Sequence, residues 1–105
     1  MPALERLSAL DASFLALDTP NAPMHVGWTM RFGGRAPTLC ELRRHLEARL
    51  HLVPRFRKRV VRPSLGLGPA CWEDAPGFTI AAHVHAVRAP APGGPAELRD
   101  VAGVL

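Results

Sequence analysis

No stretch of this chain approaches the roughly 18 consecutive apolar residues that a membrane-crossing helix needs. The opening MPALERLSALDASFLAL is interrupted by Glu5 and Asp11, where a secretion signal would be continuously apolar. The expectation is a cytoplasmic protein. Cysteine is scarce. Cys40 and Cys71 form no C-x-x-C or related spacing, which excludes the common zinc and dithiol frameworks and predicts two buried free thiols. Aromatic residues make up 6% of the chain, too few to suggest a base-stacking surface. There is no G-x-G-x-x-G, no G-x-x-x-x-G-K-[ST] and no G-x-S-x-G frame around Ser8, Ser13 or Ser64, so the sequence offers neither a phosphate-cradling loop nor a nucleophile elbow. The glycines of LGLGPA are not followed by a helix whose amides could face a phosphate. Glu73 and Asp74 are direct neighbours and read as a solvated pair, not an acid/base couple.

Negative charge is also in short supply. Nine Asp and Glu face thirteen Lys and Arg, a formal +4. Eight of the thirteen crowd into residues 43–62, with Glu47 alone against them: Arg43, Arg44, Arg49, Arg55, Arg57, Lys58, Arg59 and Arg62. Such density can attract an anionic membrane surface, a phosphorylated ligand or nucleic acid, or it can be a solvated corner between a helix and a strand. With Phe56 its one aromatic and no recognised motif, nucleic acid is not expected. What the chain has in abundance is proline, 11, and glycine, 9, which imply short elements joined by many loops. A hydrophobic fraction of 48% and a mean hydropathy of +0.05 fit a globular chain. Its 105 residues suit one small domain or part of a larger one.

Local signals predict the elements. SALDASFLAL reads as a short helix capped by Ser8 or Asp11, with Leu10, Phe14 and Leu17 on one face. DTPNAP stops it. MHVGWTMRF reads as a strand, with Met24, Val26, Trp28, Met30 and Phe32 on one side and His25, Gly27, Thr29 and Arg31 on the other. Thr38 to Val53 reads as a helix with a T-x-x-E capping box, an apolar stripe from Leu39 to Val53 and Pro54 as its stop. RFRKRVVR starts a second strand, CWEDAPGF is a short extended piece and turn, and FTIAAHVHAVRA alternates as a third strand. AELRDVAGVL opens a last helix with Leu98, Val101, Ala102 and Leu105 on one face and no stop signal after it.

Two constellations invite chemistry. His83 and His85 would share one face of a strand, the start of a two-His metal site, but no third ligand is evident and no metal is expected. At the head of the 24–32 strand, His25 and Gly27 are candidates for substrate contact, Gly27 because it lets backbone or ligand come close. Plain packing and a strand bulge account for the same two residues.

Taken in order, LSALDASFL, PMHVG, LVPRFRKR, WEDAPGF and an H-V ahead of PAPGG resemble the N-terminal region of the bacterial wax ester synthase/diacylglycerol acyltransferase family, from Leu4 to Leu105. The resemblance implies transfer of a fatty acyl group from acyl-CoA, as co-substrate and with no bound cofactor, to a long-chain alcohol or a diacylglycerol, making wax esters or triacylglycerols. The implied fold is α/β (α+β), the leading part of the N-terminal half of a CoA-dependent acyltransferase, with a mixed sheet and flanking helices. In that family the general base is the second His of H-H-x-x-x-D-G. This sequence has no H-H, no H-x-x-x-D-G and no P-L-W element ahead of them. The expectation is therefore a truncated domain over 1–105 with no catalytic residue of its own, inactive alone. Arg55, Arg57, Lys58, Arg59 and Arg62 would form a basic patch suited to the inner membrane face or a lipid droplet. The alternative is a small basic module that binds anionic lipid or nucleic acid without catalysis.

Overall fold

The computed structural model describes residues 4–104. Ser8 opens α1 (Ala9–Leu17), with the Asp11 amide donating to Ser8 Oγ at 3.1 Å. This is the exchange that makes serine a good first residue for a helix. The DTPNAP segment then folds back. Thr19 and Ala22 exchange backbone hydrogen bonds, and the Met24 amide donates to Asp18 Oδ1 at 2.9 Å.

The capping box forms as its spacing dictates. The Glu41 amide donates to Thr38 Oγ1 at 3.1 Å and the Thr38 amide to Glu41 Oε2 at 2.8 Å. The helix they start, α2 (Leu39–Glu47), is shorter than the expected run to Val53. The cause lies downstream. Pro54 keeps Val53 out of helical geometry (φ −133°, ψ 67°). The backbone ahead of it tightens into a 3-10 turn over Leu50–Leu52, and a second turn follows over Pro54–Arg57.

Of the three expected strands one forms, within RFRKRVVR; the short extended piece at CWEDAPGF supplies a second, and a third, at residues 5–6, was not anticipated. β1 (Glu5–Arg6), β2 (Lys58–Val61) and β3 (Cys71–Asp74) form one sheet in the order β1-β3-β2. Both pairings are antiparallel, where a mixed sheet was expected. The register sets Lys58 against Asp74, Arg59 against Glu73 and Val60 against Trp72. Opposite charges across an antiparallel pair support the ladder they sit on. The α+β class therefore stands, with α3 (Pro95–Gly103) as the third helix. Pro95 enters at the helix start, where its missing N–H costs nothing, and the helix closes at Gly103. Leu105, the last residue of the apolar face expected on this helix, lies outside the described residues.

Two strand expectations are corrected. Residues 78–87 hold a 3-10 turn at Ile80–Ala82 and no ladder. Their carbonyls are used by a side chain instead: Arg43 of α2 donates through Nε and Nη2 to Val84 O (3.0 and 2.7 Å) and through Nη2 to Ala81 O (3.2 Å). Residues 24–32 pair with no strand among the described residues. Alternation says which side chains share a face and not which neighbour supplies the ladder.

Among the described residues Leu50 alone is buried. The chain exposes 9110 Å², against about 5,800 Å² for a compact monomer of its mass. Its radius of gyration is 17.6 Å, against about 13 Å for a compact chain of this length. No helix among the described residues is long and apolar enough to cross a membrane.

The capping box makes a direct prediction. Thr38→Ala should remove about 1 kcal/mol of helix stability, read as lost helical circular dichroism, whereas Thr38→Ser should keep it.

Candidate functional site

The sheet and α1 enclose a shallow cleft. Its floor is Val60 and Trp72, the cross-strand pair of β2 and β3. Asp11, Phe14 and Leu15 of α1 form one wall, with Leu7 beside them, and Asp18, Met24 and His25 form the rim. The volume is about 230 Å³, at or below the low end for small-ligand pockets. Helical spacing on α1 and the period of two in the strands bring these apolar side chains together. The Asp18–Met24 hydrogen bond brings the rim back over them.

His25 reaches this rim, with its Nδ1 4.0 Å from Asp18 Oδ1. That separation is too long for a hydrogen bond. An imidazole beside a carboxylate is the arrangement from which a general base is built. Here the carboxylate already accepts the Met24 amide, and the His25 side chain is 87% exposed. Gly27 does not join it. It lies outside the cleft, and a Cβ placed there would meet nothing within 4 Å. No other described part of the chain packs against Gly27.

The basic residues are distributed among partners that their spacing did not disclose. Arg55 donates to Glu5 Oε1 at 2.9 Å, lies 3.8 Å from Asp11 Oδ2 and stacks over the Trp72 ring at 4.6 Å. Arg57 lies over Phe78 at 5.1 Å. Lys58 pairs with Asp74 at 3.5 Å, and Arg59 Nε donates to Glu73 Oε1 at 2.6 Å. Arg62 follows β2 on the exposed surface. The signal for this pairing was present in the sequence. KRVV and CWED carry opposite charges and lie a short loop apart, which suits an antiparallel pair. Glu73 and Asp74, read as a solvated pair, are the ladder partners of Arg59 and Lys58.

Trp72 was quoted only as part of a motif, yet it is central to the site. Its ring takes the Arg55 guanidinium, and its Nε1 is buried with no acceptor among the described residues. His83 stacks on Phe78 with ring centroids 4.7 Å apart, and His85 Nε2 lies 3.1 Å from Ala82 O. No group of three His, Cys, Asp or Glu side chains among the described residues could hold a metal ion. Both thiols are free. Cys40 is exposed on α2 and Cys71 half-buried, against the expectation of two buried cysteines.

Comparison with known proteins gives this geometry a setting. The family model described as the wax ester synthase/diacylglycerol acyltransferase catalytic domain matches residues 7–105. A provisionally named diacylglycerol O-acyltransferase of Mycobacterium tuberculosis is 35% identical over 98% of this chain and 21% of its own length. A second from that organism, tgs3, is 37% identical over 91% of this chain and 36% of its own length. The chain thus spans between about a fifth and a third of these relatives. No solved structure matches it.

Because Arg55 joins β1, α1 and β3, Arg55→Ala should loosen all three. The expected loss is about 1–2 kcal/mol, from partly exposed ion pairs and a cation–π contact. In a Trp28→Phe background, Trp72 emission and near-ultraviolet dichroism should both change. Arg55→Lys should recover only part of the effect, since an ammonium cannot stack and bridge at once.

Proposed function

The chain belongs to the wax ester synthase/diacylglycerol acyltransferase family, and on that footing we propose that it forms part of an enzyme that moves a fatty acyl group from acyl-CoA to the hydroxyl of a long-chain alcohol or a diacylglycerol. The observation that carries this reading is the match of the catalytic-domain model across residues 7–105, the span that contains every residue of the cleft.

The reaction needs a base to take the acceptor's hydroxyl proton as its oxygen attacks the thioester carbonyl. His25 is the one imidazole at the cleft, and it lacks the orienting hydrogen bond that a working base has. The base of the H-H-x-x-x-D-G motif has no counterpart in this sequence. The role assigned to these 105 residues is therefore architectural: an apolar wall built on Val60, Trp72 and α1, held by Arg55. We place the enzyme's work at a membrane or lipid-droplet surface, because both products are lipids that partition there. A stand-alone basic module is disfavoured by the ion pairs that occupy Arg55, Lys58 and Arg59.

The purified chain, given labelled palmitoyl-CoA with either hexadecanol or a diacylglycerol, should form no ester above a protein-free blank. Substituting residues 7–105 for the matching region of the tgs3 relative should preserve ester formation by that protein. Transfer by the 105-residue chain alone, or a folded chimera with none while the parent is active, overturns the proposal.

A further inference from the structure

The loop between β2 and β3 carries two leucines into the open. Leu65 is 93% exposed and Leu67 73%. Neither lines the cleft beside α1. The loop has a defined shape. The Gly66 amide donates to Pro63 O and the Leu67 amide to Ser64 O, both at 3.3 Å, and the Leu7 amide holds the base of the loop through Ala70 O at 3.3 Å. Leu65 itself holds left-handed backbone, with φ 63° and ψ 19°. Glycine and asparagine take that conformation readily and leucine does not. A strained residue with its apolar side chain in solvent points to a task outside the fold's own packing.

The charge around this loop has one sign. The register sets Arg6, Cys71 and Val61 in one row at this end of the sheet, and Arg62 follows Val61. Both arginines are exposed, and among the described residues no carboxylate pairs with either. No Asp or Glu lies between Arg62 and Trp72. The carboxylates of the sheet, Glu5, Glu73 and Asp74, stand in rows further from the loop and are taken by Arg55, Arg59 and Lys58.

We propose that the β2–β3 loop is a membrane anchor: Leu65 and Leu67 enter the apolar edge of an anionic bilayer while Arg6 and Arg62 meet its headgroups. Every residue from Ser64 to Pro69 is exposed, so the loop encloses no site for a small phosphorylated ligand. It has no aromatic side chain on which a base could stack. An apolar tip framed by unpaired arginines matches a surface that is anionic at its face and apolar just beneath. The inference deepens the membrane placement given above and rests on it, and it does not depend on acyl transfer.

A local label tests it without recourse to activity. Ser64→Cys, in a Cys40→Ser and Cys71→Ala background, takes a nitrobenzoxadiazole label at the loop. Pro76→Cys in the same background takes it at the opposite end of β3. With vesicles of equal parts phosphatidylglycerol and phosphatidylcholine, the label at 64 should brighten and shift to the blue, and the label at 76 should not. Phosphatidylcholine alone should give no shift, and roughly 0.5 M salt should weaken binding to the mixed vesicles by at least about 10-fold. Leu65→Asn together with Leu67→Asn should weaken it by a similar factor, with circular dichroism unchanged, since asparagine suits the left-handed position. Arg6→Gln with Arg62→Gln should flatten the salt dependence. If the 105-residue chain does not hold its hairpin, flotation of the chimera with the tgs3 relative decides, with and without the two leucine substitutions. An equal shift at 64 and 76, an equal shift with neutral lipid, or binding untouched by the leucine substitutions overturns the proposal. Flotation with the label at 64 unmoved overturns the anchor and leaves the membrane placement standing, whereas no flotation of either protein overturns both.

Discussion

The structure hangs on one guanidinium. Arg55 follows the proline that ends the α2 region, and from there it reaches a carboxylate ahead of α1, a carboxylate within α1 and the indole of β3. Among the described residues no other side chain joins the N-terminal elements to the sheet in this way. β1 is two residues long, too short to hold its place by its ladder alone. Isolated ion pairs between exposed side chains contribute little. Arg55 differs because one planar group stacks and bridges together, so ordering its side chain once serves several contacts. Its position depends in turn on Pro54, which fixes where the helical backbone stops and the chain turns toward β2.

Around this junction the chain stays open. A helix or a sheet is stabilised by the apolar face it buries, and here Leu50 alone is buried among the described residues. The sheet presents Val60 and Trp72 to a shallow cleft rather than to a closed core. This arrangement suits a wall better than a vessel. A cleft of about 230 Å³ cannot enclose a long acyl chain, but an apolar wall becomes one side of an enclosure when a second body is set against it.

Local chemistry was legible where a few adjacent residues decide the outcome. Ser8 and the Thr38–Glu41 box start their helices, and Pro95 opens α3 as its ring prefers. Two of the failures are failures of partnership. The alternation in 78–87 suggests a strand until Arg43, some forty residues earlier, takes the carbonyls of Ala81 and Val84. The basic run looks unopposed until the register of β2 and β3 sets Glu73 and Asp74 across from it. Val53 looks helical by spacing, yet Pro54 governs it. In the first two cases propensity was overruled by a contact that no local window contains, whereas at Val53 the adjacent proline decides.

The short stretches that carry the family resemblance are decisive only as a set, and the geometry explains why. LSALDASFL supplies Asp11 and Phe14, LVPRFRKR supplies Arg55 and Arg57, and WEDAPGF supplies Trp72 and Phe78. Arg55 needs Asp11 and Trp72, Arg57 needs Phe78, and Arg59 needs Glu73. Each stretch is half of a contact whose other half lies in another stretch, so changing one leaves a charge or a ring without its partner. PMHVG stands apart. Its first residues are tied down, Met24 by the hydrogen bond to Asp18. From Val26 onward it meets little: Val26 is 90% exposed and Gly27 has open space where a Cβ would be.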